Sequence, residues 1–296
     1  MNRRTFIGAS VAATLSAAAK PSWAADSTDK IDRIGLQLYT VRKAMGTDVE
    51  GTIAKVAATG YKEVEFAGYF EHSPKEIRAI LDQNGLASPS CHVSYHFVEK
   101  HWDETIEAAK TVGHSYIICP WIDEKQRAEA GGWKRAADLF NKAGEESQKA
   151  GIQFGYHNHS FEFQPAESLG GKLPYDFLLA ETDPKLVAME MDLCWITVAG
   201  KDPIAYFNKY PDRFPLVHVK DYVKDPHSTS SYSGATGSVK FEGHLADVGK
   251  GAIDWKSIFA HDAKAGIKHY FVENDDPKSA FDDIKISYNY LHDLRF

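Results

Sequence analysis

The sequence predicts a (β/α)8 barrel, a closed ring of eight parallel strands with helices packed around it. Eight short apolar runs recur after residue 30, and amphipathic segments that suit helices separate them. The rival α/β fold, an open doubly wound sheet, usually carries a glycine-rich phosphate-binding turn after its first strand. Here the first run continues into "TVRKAMGTD", which contains no such turn. The pattern therefore favours the barrel.

Each of the eight runs is typical of a strand that is buried on both faces. The runs are short and apolar, and Gly, Pro or charged residues flank them, as in parallel sheets that are covered by helices. In chain order, the predicted strands cover residues 34–39, 63–67, 88–93, 116–121, 153–158, 187–192, 215–220 and 270–274.

The segments between the runs have the apolar spacing of helices that pack on a sheet. Examples are "DVEGTIAKVAATG", "SPKEIRAILDQNG" and "GWKRAADLFNKAGEESQKAG". These end in glycine, the residue that most readily adopts the left-handed conformation just past a helix. We therefore predict one barrel domain over residues 30–296.

The first 24 residues predict a signal peptide of the twin-arginine type. Arg3 and Arg4 precede a weakly apolar, alanine-rich stretch that ends at a cleavage site, Ser22-Trp23-Ala24. This stretch is too short to serve well as a membrane anchor, and no later segment is long and apolar enough to cross a bilayer. We expect export to the periplasm or beyond, with no stable membrane insertion after cleavage.

Charge and composition argue against nucleic acid as a partner. The formal net charge is −7, and the 34 Lys and Arg residues are scattered along the chain, whereas nucleic-acid binding needs clustered basic residues. Aromatic residues make up 12% of the chain and offer stacking faces for sugars. A small carbohydrate is the expected partner, and the oligomeric state is left open.

Polar side chains gather where the predicted strands end. The active site of a (β/α)8 barrel lies at the carboxyl ends of its strands. Because strand side chains alternate with a period of two, His157 and His159 share one face of their strand. In chain order, the candidate residues are Tyr39, Glu65, His92, His157, His159, Glu162, Asp192, His218, Lys220 and Glu273.

Carboxylates and imidazoles that converge on one barrel mouth predict a divalent metal ion. Buried ionisable groups are costly unless they are paired or bound to metal, and this mixture of ligands suits Mn²⁺, Mg²⁺, Co²⁺ or Zn²⁺. Each residue alone has a structural alternative, such as Asp192 capping the turn that follows it. Their joint placement at successive strand ends is what favours the ion.

The chain resembles the sugar phosphate isomerase/epimerase family of xylose isomerase-like barrels. The resemblance covers essentially the whole mature chain and rests on five segments in the family's order: "GYHNHSFEF", "EMDLCW", "VHVKD", "VGKGAIDW" and "FVEND". It implies a single divalent ion, with Mn²⁺ as the first choice, bound by Glu, Asp, His and Glu at the ends of strands five to eight.

Three of these ligands carry over directly to Asp192, His218 and Glu273. At strand five the chain departs from the family, because His157 and His159 stand where the family has a glutamate. Glu162, a few residues later, is the first choice for the fourth ligand. A ligand set that contains His157 instead remains open.

The resemblance implies proton transfer next to a carbonyl through an enediolate. The first hypothesis is a sugar isomerase or epimerase, in which Glu273 and His157 (or Glu162) move the proton on opposite sides of the metal. Lys220 is predicted to donate to the developing oxyanion, and His159 is a further catalytic candidate.

Two alternatives remain open. In a glycoside already oxidised to a ketone at C3, the same enediolate leads to β-elimination of the group at C1, which is lyase or net hydrolase chemistry. Export favours this alternative, because glycosides are met outside the cytoplasm. The other alternative is a barrel that binds a sugar without turning it over.

Five residues are predicted to contact the substrate. Tyr39 and Trp195 offer stacking faces, and Glu65 and His92 offer polar groups. His244 lies in the long loop after the seventh run, from which it is predicted to approach the substrate.

Overall fold

Eight parallel strands close into a barrel in which each strand pairs with its neighbours in sequence and the last pairs with the first. The structure, a computed structural model, describes residues 29–225, 227 and 241–296. All eight predicted strands are confirmed. Their bounds are β1 (Ile34–Gln37), β2 (Glu63–Ala67), β3 (Ala87–His92), β4 (Tyr116–Cys119), β5 (Gln153–His157), β6 (Val187–Asp192), β7 (Leu216–Val219) and β10 (His269–Val272).

Helices follow most of the barrel strands. The α-helices are α1 (Arg42–Met45), α2 (Val49–Thr59), α3 (Pro74–Asn84), α4 (Tyr95–Lys100), α5 (Trp102–Val112), α6 (Glu124–Ala128), α7 (Gly132–Gln148), α8 (Pro174–Glu181), α9 (Leu193–Val198), α10 (Pro203–Lys209), α11 (Trp255–Phe259), α12 (Asp262–Ala265) and α13 (Ala280–Asp293). Short 3₁₀ helices cover Leu38–Val41, Phe161–Phe163 and Glu167–Leu169. Within the described ranges, no helix has the length and apolarity that crossing a membrane requires.

Helix α3 shows how local sequence sets the bounds of an element. Ser73 caps the first turn by accepting from the backbone N–H of Glu76, whose carboxylate accepts in return from the backbone of Ser73. Pro74 follows at the first helical position, where its missing N–H costs nothing. Gly85 ends the helix at φ 62°, in the left-handed conformation, as its place in the sequence predicts.

The long loop after β7 contains an antiparallel ribbon of β8 (Asp221–Lys224) and β9 (Gly243–Ala246). The buried carboxylate of Asp221 accepts from the backbone N–H groups of Gly249, Gly251 and Ile253 and from the indole N–H of Trp255. A Cβ at Gly251 would lie 2.1 Å from Asp221 Oδ1. This loop therefore needs glycine, and the segment "VGKGAIDW" is held in place by one aspartate.

Two layers of side chains fill the inside of the barrel. The lower layer is an apolar cluster of Tyr116, Ile118, Leu216 and Phe271. Two residues further along their strands, His218 and Glu273 point to the same side as Leu216 and Phe271. The inside of the barrel therefore has an apolar layer with a polar layer above it.

The predicted signal peptide, residues 1–24, lies outside the described residues and stays a prediction.

We expect the buried His114 to make the stability of this fold depend on pH. Its Nδ1 lies 2.7 Å from the carbonyl oxygen of Ser88, which only accepts, so Nδ1 carries the proton while Nε2 accepts from Tyr69 Oη at 2.9 Å. Burial lowers the pKa of His114 to about 4. The unfolded chain, with a His pKa of about 6.5, therefore binds more protons between these values.

Stability should therefore be lost as the pH falls from 6.5 to 4, by up to about 3 kcal/mol from this residue. In His114→Gln, which does not titrate there, the free energy of unfolding should fall less steeply over the same range. Urea unfolding of both proteins at pH 7, 6, 5 and 4.5 measures the difference. Equal slopes would show that His114 does not titrate as its surroundings require.

Candidate active site

A cavity of about 1130 Å³ opens over the carboxyl ends of the strands. Its polar floor and its aromatic walls are formed by different residues. The floor includes His92, His157, His159, Glu273 and Asp275, and the walls include Tyr39, Tyr69, Tyr95, Phe97 and Trp121. The polar groups are thus concentrated at the end nearest the barrel axis, as in a site that binds and orients a small ligand.

His218 lies at the centre of the floor and faces a carboxylate on each side. Its Nδ1 is 2.8 Å from Glu273 Oε2, and its Nε2 is 2.7 Å from Glu65 Oε2. Burial lowers the pKa of His218, but the nearby carboxylates, Glu190 first among them, raise it well above its usual value. His218 therefore bridges two carboxylates, whose charges favour its protonated form.

Glu65 is fixed from several directions. Gln37 Nε2 donates to its Oε2 at 2.7 Å and Ser90 Oγ donates to its Oε1 at 2.5 Å. Burial raises the pKa of Glu65, yet His92 and His218 lower it well below the usual value. The Glu65 carboxylate thus stays ionised although it is completely buried.

His92 joins Glu65 to a second carboxylate, that of Glu190. Its Nε2 lies 2.7 Å from Glu190 Oε2 and 3.2 Å from Glu65 Oε2. Burial lowers the pKa of His92, but the two glutamates outweigh burial and raise it to about 9. For Glu190, burial and the charge of Glu65 raise the pKa to about 7.

Lys220 is buried among three carboxylates. Its Nζ lies 2.9 Å from Asp192 Oδ2, 2.7 Å from Glu273 Oε2 and 2.8 Å from Asp275 Oδ2. An ammonium group has three donors, and three acceptors surround this one. The predicted donation from Lys220 to a substrate oxyanion does not fit this arrangement. Lys220 instead holds the carboxylates in place, and its charge opposes their protonation.

Two neutral histidines complete the floor. Burial lowers the pKa of His157 well below its usual value, and burial together with Lys220 lowers that of His159 to about 3. The Nδ1 atoms of both are buried and make no hydrogen bond within the described part of the chain. The His159 ring lies edge-on to the rings of Trp121 and His157, with the ring centroids 5.0 Å apart in each case. Both imidazoles can therefore accept a proton or bind a metal ion.

Asp192 has a structural role as well as a place in the site. Its Oδ1 accepts from the backbone N–H groups of Cys194 and Trp195 and so caps helix α9. Its other oxygen faces Lys220. The cap that the sequence offered as an alternative to metal binding is present, and it leaves Oδ2 directed into the site.

The floor residues fit a divalent metal ion. Ligand atoms of Asp192, His218 and Glu273 lie within 4.8 Å of one another. The same holds for a second group, which consists of His92, His157, Glu190 and His218. Mixed imidazole and carboxylate ligands suit Mn²⁺, Co²⁺ or Zn²⁺. The Nδ1 of His157 and the Oε1 of Glu190 are buried without a hydrogen bond among the described residues. Both atoms are therefore available to bind an ion.

Glu162, the predicted fourth ligand, belongs to neither group. Its carboxylate accepts from Tyr156 Oη at 2.7 Å and from the backbone N–H of His159 at 2.9 Å. Burial raises its pKa to about 7. Glu162 therefore holds the turn that carries His159, and the geometry gives His157 the better claim to be the strand-five ligand.

Two predicted substrate contacts are placed elsewhere. Trp195 is completely buried beside Lys220, with Nζ 5.2 Å from the ring centroid, and does not line the cavity. His244 is exposed on β9 and does not line the cavity either. Tyr39 does line it, with 42% of its surface exposed and the Arg42 guanidinium 4.1 Å from its ring centroid.

The sequence prediction omitted two residues from the site. Glu190 lies two residues before Asp192 on the same inward face of β6, so alternation alone could have indicated it. Asp275 follows the end of β10 by three residues, in a stretch without strand periodicity. Burial raises the pKa of Asp275 to about 6, while Lys220 opposes the shift.

Known proteins share this fold and part of this sequence. A family model described as xylose isomerase-like TIM barrel matches residues 53–286. The inosose dehydratase of Lacticaseibacillus casei is 26% identical over 246 residues, which are 75% of this chain and 80% of that protein.

Solved structures agree with the family match. A sugar phosphate isomerase/epimerase from Parabacteroides distasonis has a TM-score of 0.71 at 25% identity, with 93% of this chain and 96% of that chain covered. The protein IolI, solved with a zinc atom, has a TM-score of 0.67 at 12% identity, with 87% and 95% covered, a likeness in fold alone. With 53–286 matched by the family model, the chain belongs to the xylose isomerase-like TIM barrel family.

Proposed function

We propose that the protein is a divalent-metal-dependent lyase that acts on a small cyclic polyol bearing a ketone. It removes the proton next to the ketone and expels an oxygen substituent from the following carbon. The observation that carries the proposal is the floor of the cavity, where a neutral imidazole and a carboxyl group face the same space. The relatives named inosose dehydratase favour elimination over the isomerase first expected from the sequence.

A divalent ion bound at the floor would polarise the ketone and so acidify the neighbouring C–H bond. His218 belongs to both groups of candidate ligands, so it is the one residue common to either placement of the ion. The other candidates are Asp192 and Glu273 in one group, and His92, His157 and Glu190 in the other.

His159 is the proposed base. It lines the cavity, and its low pKa keeps the imidazole neutral at physiological pH, so a lone pair is free to take the proton. The electron pair of the broken C–H bond then forms the new double bond, and the C–O bond at the next carbon breaks.

Asp275 is the proposed acid. It lines the cavity, and its pKa of about 6 leaves part of the carboxyl protonated near neutrality. It can thus return a proton to the departing oxygen, so that the products are an unsaturated ketone and water or an alcohol. Lys220, at 2.8 Å, holds the Asp275 carboxyl towards this position.

Isomerisation or epimerisation is the second candidate. It shares the first step with elimination, and the structural neighbour from Parabacteroides distasonis carries that name. The two reactions differ only in where the second proton goes. The positions of His159 and Asp275 are compatible with either reaction.

The test is incubation of the metal-reconstituted protein in D2O with keto-cyclitols, 3-keto-glycosides, free ketoses and aldoses, followed by NMR and mass spectrometry. Loss of water or of the C1 substituent supports the lyase. Deuterium in an intact sugar with a changed configuration or carbonyl position shows an isomerase or epimerase instead. No exchange with any substrate class, with metal bound, contradicts both and favours a binding role.

A further inference from the structure

We propose that the outer end of the cavity binds a second ring of the substrate. This ring is uncharged, has an apolar face, and is joined to the ketone-bearing ring through the departing oxygen. It belongs either to an aryl group or to a second sugar, and Tyr39 and Phe97 are the side chains that contact it. The inference rests on the proposed function only in that the ketone-bearing ring occupies the floor of the cavity.

The cavity is larger than one ring requires. Its volume is about 1130 Å³, above the range of about 300–1,000 Å³ that is usual for sites of small ligands. A cyclic polyol has about twelve non-hydrogen atoms, and at the roughly 30 Å³ that each water molecule takes in the liquid it would fill about 360 Å³. A ring bound at the polar floor therefore leaves more than half of the cavity for another group.

The aromatic walls of the cavity come from one half of the barrel. Tyr39 follows β1, Tyr69 follows β2, Tyr95 and Phe97 lie on α4 after β3, and Trp121 follows β4. These four strands are neighbours in the closed sheet, with β10 beside β1 and β5 beside β4. The proposed base and acid follow β5 and β10, so the aromatic walls run from the side of the base to the side of the acid.

Two aromatic side chains of these walls are exposed. Among the described residues, the large hydrophobic side chains that are exposed are Tyr39 at 42%, Phe97 at 48% and Ile286 at 37%. The first two line the cavity, and Ile286 does not. Single exposed hydrophobic residues are ordinary, but two that share one cavity indicate a surface that a ligand covers.

Tyr39 is held in its exposed position beside the proposed acid. The Arg42 guanidinium lies 4.1 Å from the centroid of its ring and donates to the backbone carbonyl oxygens of Tyr39 and Asp275, at 2.8 Å each. The backbone N–H of Asn274 donates to Thr40 Oγ1 at 3.0 Å. The loop after β1 is thus tied to the loop that carries Asp275. A group that departs with a proton from Asp275 therefore leaves next to Tyr39.

The charges along the cavity favour an uncharged second ring. None of the lining residues in the described part of the chain is Lys or Arg, whereas Glu104 and Asp123 line the cavity with exposed carboxylates. Proteins bind phosphate and carboxylate groups mainly with Arg and Lys. An anionic group at the outer end would instead be repelled by these carboxylates.

The first experiment measures the binding of unoxidised glycosides to the metal-reconstituted protein by calorimetry. The probes are the methyl, phenyl and 4-carboxyphenyl β-glucosides and β-galactosides, with cellobiose and lactose as the matching disaccharides. In at least one series, the phenyl glycoside or the disaccharide should bind about 10-fold or more tightly than the methyl glycoside, because a second ring buries apolar area and stacks on an aromatic side chain. The 4-carboxyphenyl glycoside should bind more weakly than the phenyl glycoside.

Three variants test which residues provide this gain. Tyr39→Ala and Phe97→Ala should each reduce the preference for the second ring by about 3-fold or more. Both side chains are exposed, so their loss should leave the fold intact. The matched control is Ile286→Ala, which removes an exposed hydrophobic side chain outside the cavity and should leave the preference unchanged. A preference that survives in both Tyr39→Ala and Phe97→Ala overturns the assignment of the ring to these residues.

The pattern of binding decides the rest. A larger gain for the phenyl glycoside identifies an aryl group, a larger gain for the disaccharide identifies a second sugar, and both support the proposal. Equal binding of the methyl, phenyl and disaccharide probes, or no binding of any, overturns it. Tighter binding of the 4-carboxyphenyl glycoside overturns the uncharged ring. These probes lack the ketone and cannot undergo elimination, so a preference for the second ring would stand even if the lyase reaction were refuted.

Discussion

Replacement of Lys220 by methionine is expected to lower the free energy of unfolding by about 3–5 kcal/mol, the usual cost of removing one partner of a buried ion pair. Methionine has a similar length but no charge, so Asp192, Glu273 and Asp275 would face one another without a cation. Their mutual repulsion in a buried site would force proton uptake or local opening. Urea unfolding at pH 7.5 measures the loss.

Two further variants separate the effect of the lost charge on stability from the effect of the altered side chain. Lys149→Met alters an exposed lysine on the outside of the barrel and should change stability by less than about 0.5 kcal/mol. Adding Asp275→Asn to Lys220→Met should recover part of the loss, because one uncompensated carboxylate is removed. If the double variant is no more stable than the single one, repulsion among these carboxylates is not the cause.

His159→Asn is expected to lower kcat by about 10²–10⁴-fold, the usual contribution of a positioned general base. The ring lies edge-on to the rings of Trp121 and His157 on the cavity floor. Asparagine keeps a polar group but cannot take the proton at neutral pH. The measurement is deuterium exchange at the carbon next to the ketone, on the substrate that the protein turns over.

The matched control is His96→Asn, which changes an exposed histidine in the outer wall of the same cavity. It should leave the exchange rate within a few-fold, because His96 lies away from the floor. Unchanged exchange in His159→Asn, together with lost exchange in His157→Asn, would assign the base to His157 instead. That outcome would also weaken the placement of the metal on His157.

The fold was largely readable from the sequence. Parallel strands covered by helices have two buried faces, so each appears as a short continuous apolar run, and all eight runs became barrel strands within a few residues of the predicted bounds. Glycines such as Gly85 marked helix ends because the left-handed conformation costs other residues more. The ribbon of β8 and β9 was not predicted, since the loop that contains it is long and polar.

The candidate site was readable only where strand periodicity applies. His157, His218 and Glu273 lie at strand ends, where alternation indicates which side chains face inward. Glu162 and His244 lie beyond the barrel strands, and no period predicts their direction. The Glu162 carboxylate accepts a hydrogen bond from Tyr156 Oη, and His244 is exposed on β9. Trp195 follows Asp192 into a helix, and its large apolar surface favoured burial over the cavity.

The reaction could not be read from these residues. Isomerases and lyases of this chemistry begin with the same removal of a proton next to a carbonyl, so they require the same base and the same ion. The relatives named inosose dehydratase support our proposal of elimination, which the sequence offered as an alternative to its first hypothesis.

The sequence by itself determined the barrel and the ring of histidines and carboxylates at its mouth, because local periodicity and the ends of parallel strands suffice for both. Only the tertiary structure decided how deep in the barrel each charged side chain lies and which partner it contacts. Glu190 and Asp192 share one face of β6, yet one meets His92 and the other Lys220. Which carboxylate meets a histidine and which a lysine depends on how neighbouring strands are offset around the barrel, and that offset is a property of the closed sheet.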